Sequence, residues 1–365
     1  MKFKVAILPG DGIGPEVMDA AVAIMETLAQ EYQVALEVSS HLVGGASIDE
    51  YDSPLIDDTL QACYDSDAVL LGSIGGPRWE GLPHDKKPER ALLGLREALG
   101  LYSNLRPAKV YPAMVEASSL KPEFVRDTDL VVVRELTGGI YFGEPRGYDA
   151  QQGWNTLIYN REEVERIARV AFDLAGRRRG QVTSVDKANV LESSQFWREV
   201  VHEVQGDYPD VTLKDLYVDN ATMQLVRQPS QFDVILTQNM FGDILSDAAA
   251  MVTGSLGMLP SASLGEHYAL YEPVHGSAPD IAGQNMANPL AMIASVGMMF
   301  GTTCNLPQAE QILDKAIEIT LADGFRTADI VAEQGEPVST TEMRDRIAES
   351  LRRLMEEKRI TASPA

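Results

Sequence analysis

From residue 3 to residue 8 the chain reads as a short buried strand that breaks at Pro9-Gly10. Over 15–30, Val17, Ala20, Ala21, Ile24 and Leu28 then recur at the spacing of one helical face. The order strand, loop, helix returns at 68–73, 130–134, 182–186, 213–219 and 232–237, each a β-rich run followed by a polar or glycine-containing loop. That alternation predicts an α/β architecture with a largely parallel sheet. Over 340–359, Met343, Ile347, Leu351 and Leu354 share one face, which predicts a closing amphipathic helix. No internal repeat, low-complexity tract or linker marks a domain boundary.

Composition adds limits. The 365 residues, 45% of them hydrophobic and 7% aromatic, suffice for a large core or two domains. Against 31 basic residues stand 54 acidic ones, a net charge of −23, so the surface repels phosphate backbones and anionic lipid. No nucleic-acid or membrane partner is expected, and a small anionic substrate would need a local arginine cluster. Cys63 and Cys304 lie far apart, which gives neither a disulfide framework nor a zinc spacing. No apolar run approaches the ~18 residues of a membrane span, and the N-terminal run is too short for a secretory signal. A cytoplasmic location follows as an expectation. Arg177-Arg178-Arg179, placed after a predicted helix, reads as charge complementing that helix's C-terminus.

Candidate chemistry is scattered. Gly10-Asp11-Gly12-Ile13-Gly14-Pro15 imitates a dinucleotide fingerprint, but Pro15 stands where glycine or alanine is needed and no acid follows at the next strand end. It reads better as a tight strand-to-helix turn, with Pro15 as the first helical residue. Asp243 and Asp247, four apart, project from one helical face near its start. Oxygen donors without His or Cys suit Mg²⁺ or Mn²⁺, although two acids also serve simply to balance a helix N-terminus. Asp219, read as closing a strand, is a third acid where parallel sheets bind ligands. Arg96, Arg106 and Arg134 would clamp a di-acid if they converge, and singly read as surface charge. Tyr141 and Lys187 are candidate proton carriers if they sit beside a metal.

Gly10 to Glu16, the block from Arg134 to Gly143, Asp186-Lys187-Ala188-Asn189-Val190, the block from Asn239 to Asp247, and Glu272-Pro273-Val274-His275-Gly276-Ser277-Ala278-Pro279-Asp280-Ile281-Ala282-Gly283 together resemble the signature set of 3-isopropylmalate dehydrogenases. The resemblance implies the two-domain fold of the isocitrate/isopropylmalate dehydrogenase family, with a mixed central sheet flanked by helices, not a Rossmann fold. Residues 1–101 and 254–365 would form the first domain and 102–253 the second. It implies a homodimer with shared active sites. Arg96, Arg106 and Arg134 would hold the substrate carboxylates, and Asp243 and Asp247 the Mg²⁺ or Mn²⁺. Lys187 and Asp219 would come from the partner subunit, with Asp219 also counted among the metal, substrate and catalytic residues.

NAD would lie along Gly75, Gly76, Glu89, Glu272, His275, Gly276, Ser277, Ala278, Asp280, Ile281 and Asn288, and Asp280 would favour NAD over NADP. Leu92 and Leu93, with Val190 of the other copy, would take an isopropyl group, while the Glu89 charge disfavours a third carboxylate. One departure is Ala248, where many relatives carry Glu. The implied reaction turns 3-isopropylmalate into 4-methyl-2-oxopentanoate and CO₂ in leucine biosynthesis, with Lys187 taking the hydroxyl proton and Tyr141 protonating carbon. Alternatives are a sister enzyme acting on homoisocitrate, tartrate or a methylthioalkylmalate and, in another class, a metal-dependent hydrolase.

Overall fold

Val5, Ala6, Ile7 and Leu8 are buried in the middle of a strand, as an unbroken apolar run between two helical layers must be. The computed structural model describes residues 1–332 and 335–362. Its elements run β1 (Lys2–Gly10), α1 (Gly14–Glu31), β2 (Ala35–Ser40), α2 (Gly45–Tyr51), α3 (Asp57–Tyr64), β3 (Ala68–Ser73), α4 (Glu89–Ala98), β4 (Ser103–Lys109), α5 (Pro122–Val125), β5 (Asp129–Glu135), β6 (Gly147–Tyr148) and β7 (Gly153–Trp154). There follow α6 (Arg161–Gly176), β8 (Gln181–Asp186), α7 (Glu192–Gln205), β9 (Thr212–Tyr217), α8 (Val218–Arg227), β10 (Val234–Thr237), α9 (Asn239–Thr253), β11 (Pro260–Leu264), β12 (Ala269–Pro273), α10 (Leu290–Thr302), α11 (Pro307–Ala322) and α12 (Thr340–Ala362).

Ten strands form one sheet in the order β2-β1-β3-β12-β11-β4-β5-β10-β8-β9. The four strands at either end of this order are parallel to one another, as the alternation predicts. The centre differs, because β11 runs antiparallel to β12 and β4, and β4 antiparallel to β5. These two central strands are polar and were not flagged by apolar periodicity. Buried Asn104 of β4 donates to Ser261 Oγ (2.8 Å) and Ser263 Oγ (3.1 Å) of β11, so hydrogen bonds replace apolar packing there.

The helices cover both faces. Helices α1, α10, α11 and α12 share the largest core cluster, and α6 with α7 packs a second around Phe172 and Trp197. On α12, Met343, Ile347 and Leu351 are buried and Leu354 packs beside them, as expected. The strand expected over 213–219 ends at Tyr217, so Asp219 lies in the first turn of α8 instead of closing a strand. Arg178 pairs with Asp129 and Asp233, each at 2.8 Å, which stitches the starts of β5 and β10 and gives the arginine run a more specific structural use than dipole balance.

The Gly10-to-Pro15 segment is a tight turn. A Cβ on Gly10, at φ +72°, would stand 1.9 Å from the Ser73 carbonyl oxygen, and one on Gly12, at φ +58°, 2.0 Å from that of Ser277. Pro15 falls in the first turn of α1. Among the described residues no helix is long and apolar enough to cross a membrane.

Candidate active site

Strands β4 and β5, neighbours in the middle of the sheet, carry Arg106 and Arg134 beneath α9. The helix approaches closely because Gly242 has no side chain: a Cβ there would sit 2.7 Å from the Arg134 side chain. Arg134 is 2% exposed, and Asn239 Oδ1 accepts from its Nε (3.0 Å) and Nη2 (2.8 Å). Its Nη1 meets Asp243 Oδ1 at 2.5 Å. Asn239 in turn donates to the carbonyls of Leu136 (2.9 Å) and Gly138 (3.0 Å), so both ends of its amide are used. Tyr141 donates to Asp243 Oδ2 at 3.0 Å. Arg106 reaches Ser246 Oγ at 2.8 Å, Asp247 at 3.4 Å and Asp243 at 3.6 Å. Buried Arg96 pairs with buried Glu272 at 3.0 Å.

Three guanidinium groups stand here against the three carboxylates of Asp243, Asp247 and Glu272. Burial, then the neighbouring Arg106, lowers Arg134 to about 10 even with Asp243 opposing. Burial likewise lowers Arg106, with Arg96 adding like-charge repulsion. The Nε atoms of Arg96 and Arg106 are buried with no partner among the described residues, donors that a dicarboxylate would satisfy. Burial pushes Asp243 up, yet Arg134 and Arg106 hold it below the ordinary carboxylate range. Burial raises Asp247 despite Arg106, with Asp243 repelling it. Burial and the Asp243 carboxylate raise the Tyr141 phenol, which keeps its proton at neutral pH. Asp243 sits one turn into α9 and Asp247 two, deeper than the helix-start position read from sequence.

Lys187 and Asp219 form a separate cluster. Asp186, buried at the end of β8, accepts both Arg198 Nε (2.9 Å) and Nη2 (2.8 Å) and the Ala188 N–H (2.9 Å), which fixes the turn presenting Lys187. Lys187 Nζ donates to Asp219 Oδ1 at 2.5 Å, and this bond lowers the exposed Asp219 carboxyl. Among the described residues no three His, Cys, Asp or Glu side chains converge to hold a metal. Within one chain, therefore, the three aspartates do not meet. Oxygen donors of Asp243 and the largely exposed Asp247 fit a hard divalent cation as an incomplete pair.

Of the residues expected along the cofactor, His275, Gly276, Ala278, Ile281 and Asn288 line one cleft. Ile13 and Asp329 join them, and neither was singled out from sequence. Asp329 accepts from Asn288 Nδ2 at 3.0 Å and orients it. His275 Nδ1 lies 2.9 Å from the Gly276 carbonyl, while its Nε2 has no partner among the described residues and burial lowers the ring's pKa, a neutral donor or acceptor fit for a polar ligand group.

Gly75, at φ +103°, faces Glu89, since a Cβ there would stand 2.8 Å from Glu89 Oε1. Gly76 packs over Trp79 instead. Among the other expected contacts, Glu272 pairs with Arg96, the Ser277 carbonyl accepts from the Ile13 N–H, and Asp280 is exposed with its backbone carbonyl accepting from Gln284. Leu92 packs at the rim of a core cluster, Leu93 is half-buried, and Val190 is 62% exposed.

The chain matches the isocitrate/isopropylmalate dehydrogenase family over residues 4–347. It is 60% identical to a 3-isopropylmalate dehydrogenase of Chlorobium chlorochromatii over 96% of this chain and 100% of that one. It is 61% identical to one of Chlorobaculum tepidum over 94% and 98%. The structure superposes on a crystal structure of isocitrate dehydrogenase from Methylococcus capsulatus with a TM-score of 0.85 at 36% identity, covering 96% of this chain and 99% of that one. Matched from its first strand into its last helix, the chain belongs to the isocitrate/isopropylmalate dehydrogenase family of oxidoreductases.

Proposed function

We propose that this chain oxidises and decarboxylates 3-isopropylmalate to 4-methyl-2-oxopentanoate and CO₂, with NAD as hydride acceptor and Mg²⁺ or Mn²⁺ bound, as a cytoplasmic step of leucine biosynthesis. The observation that carries it is the buried set Arg96, Arg106 and Arg134 beside Asp243 and Tyr141, which fits a dicarboxylate, a cation and a proton donor in one place. The names of relatives 53–61% identical over nearly the whole chain support the same substrate.

Arg96, Arg106 and Arg134 bind and orient the two carboxylates. The partner's Lys187, acting as the neutral amine, accepts the proton of the C2 hydroxyl. Tyr141 gives its phenol proton to the carbon that loses CO₂. A divalent cation held by Asp243, Asp247 and the partner's Asp219 would supply Lewis-acid stabilisation of charge developing on oxygen, and NAD would take the hydride. Asp280, open at the cleft edge, favours NAD, whose ribose hydroxyls it can accept from, over a 2′-phosphate. Leu92, Leu93 and the partner's Val190 would enclose the isopropyl group, and Glu89 would repel a third carboxylate.

The homodimer is inferred from the separation of the two clusters and from apolar residues left open on α8 and α9, Met223, Val226, Ile244 and Met251. Residues 1–101 with 254–365, and 102–253, are proposed as the two domains, the chain crossing between them beside the β4–β11 pair. The test is NADH formation from 3-isopropylmalate with Mn²⁺, set against homoisocitrate, tartrate and a methylthioalkylmalate. Turnover of 3-isopropylmalate above the other three, abolished by EDTA, is expected. A different preferred acid, or turnover indifferent to EDTA, would overturn the reading.

A further inference from the structure

Asp11 is a buried acid in the turn between β1 and α1. The residue is 4% exposed, and its carboxylate accepts three backbone N–H groups at 2.8 Å each: Gly45 and Gly75 on Oδ2, Ala46 on Oδ1. Among the described residues no Lys, Arg or His pairs with it. Gly45 and Ala46 open α2, and Gly44 before them has no side chain to cap the helix, so Asp11 caps it from a different segment. Gly75 belongs to the loop that faces Glu89. Ser73 Oγ donates to the Asp11 carbonyl at 2.7 Å and sets the orientation of the residue. Two residues on, the Ile13 N–H donates to the Ser277 carbonyl at 2.8 Å, and Ile13 itself lines the cleft with His275. One short turn thus grips the Gly75–Gly76 loop on one side and the His275-to-Ile281 loop on the other.

We propose that Asp11 is a positioning residue of the cofactor site: it holds the Gly75–Gly76 loop at a fixed distance from the His275-to-Ile281 loop, so that a single dinucleotide spans both. The proposal rests on the cofactor reading above. A charge-assisted acceptor for several N–H groups fixes loops more firmly than a neutral one. Asp11→Asn keeps the size of the side chain but turns one acceptor into a donor facing N–H groups.

The test is a fluorescence titration of NADH into metal-free wild-type and Asp11→Asn protein, with KM for 3-isopropylmalate measured at saturating NAD. NADH binding about tenfold weaker in the variant, with KM for the hydroxy acid essentially unchanged, is expected. A folded variant that binds NADH as wild type does, or that loses both affinities in parallel, overturns the inference. If Asp11→Asn does not fold, Ser73→Ala decides, because it removes the hydroxyl bond to the residue 11 carbonyl while leaving the carboxylate: NADH binding about threefold weaker supports the role, and unchanged binding overturns it. A wild-type protein that fails to bind NADH overturns the cofactor reading itself, an outcome distinct from equal binding by wild type and variant.

Discussion

Arg134 shows why the proposed substrate site would depend on guanidinium geometry and not on charge alone. Its fork meets Asn239 with two nitrogens and Asp243 with the third, leaving its orientation no freedom. A lysine has one ammonium and cannot hold both partners. Arg134→Lys should lower kcat/KM for 3-isopropylmalate by at least about 100-fold, or about 2.7 kcal/mol of transition-state stabilisation. A steady-state assay showing less than about a threefold loss would mean that the fork does not orient substrate. Arg134, Asp243, Asp247 and Tyr141 were legible in the sequence because local motifs carry them. The roles of Asn239, Asp11 and Asp329 were not, because their partners lie between 34 and 105 residues away.

At the scale of elements, α9 and α11 each carry an electrostatic liability. On α9, Asp243 and Asp247 repel at a spacing of four, which a bound cation relieves. Mn²⁺ added to metal-free protein should therefore raise the melting temperature, by about 2.7 kcal/mol of stability at 100 times its Kd, and Asp247→Asn should abolish most of that shift. An equal shift in wild type and variant in differential scanning calorimetry would place the cation elsewhere.

On α11, burial and then Asp314 push the Glu310 carboxyl up to about 7. Lys109 and Tyr111 are already engaged by Asp314, and Arg178, across the same cavity, by Asp129 and Asp233. A carboxyl raised above its unfolded value binds protons more tightly in the folded state, so its contribution is full below about 4.5 and lost as pH rises to about 7. Urea denaturation at about pH 5 and pH 8 should show wild type losing on the order of 1–3 kcal/mol relative to Glu310→Gln; parallel curves would contradict this. Apolar strands and amphipathic helices were readable from periodicity. Polar β4 and β11 were not, since buried serine and asparagine mimic loop composition, and the end of β9 was misread by two residues because helix α8 begins without a break.

For the whole molecule, the fold class and family were legible because five motifs fall in one order along the chain. The antiparallel centre of the sheet was not, as pairing between β4 and β11 joins segments more than 150 residues apart. Within one chain Lys187 with Asp219, and Asp243 with Asp247, stand in separate clusters. The central claim is that two copies together make one reaction centre. Lys187→Met and Asp247→Asn variants, each expected to be inactive alone, can be unfolded together, refolded as a mixture and assayed for NADH formation from 3-isopropylmalate. In a mixed dimer, Asp247 of one copy faces Lys187 of the other with both intact, so about one quarter of wild-type activity should return on random mixing. Activity no greater than the sum of the two variants, in a sample shown to contain mixed dimers, would contradict the shared site.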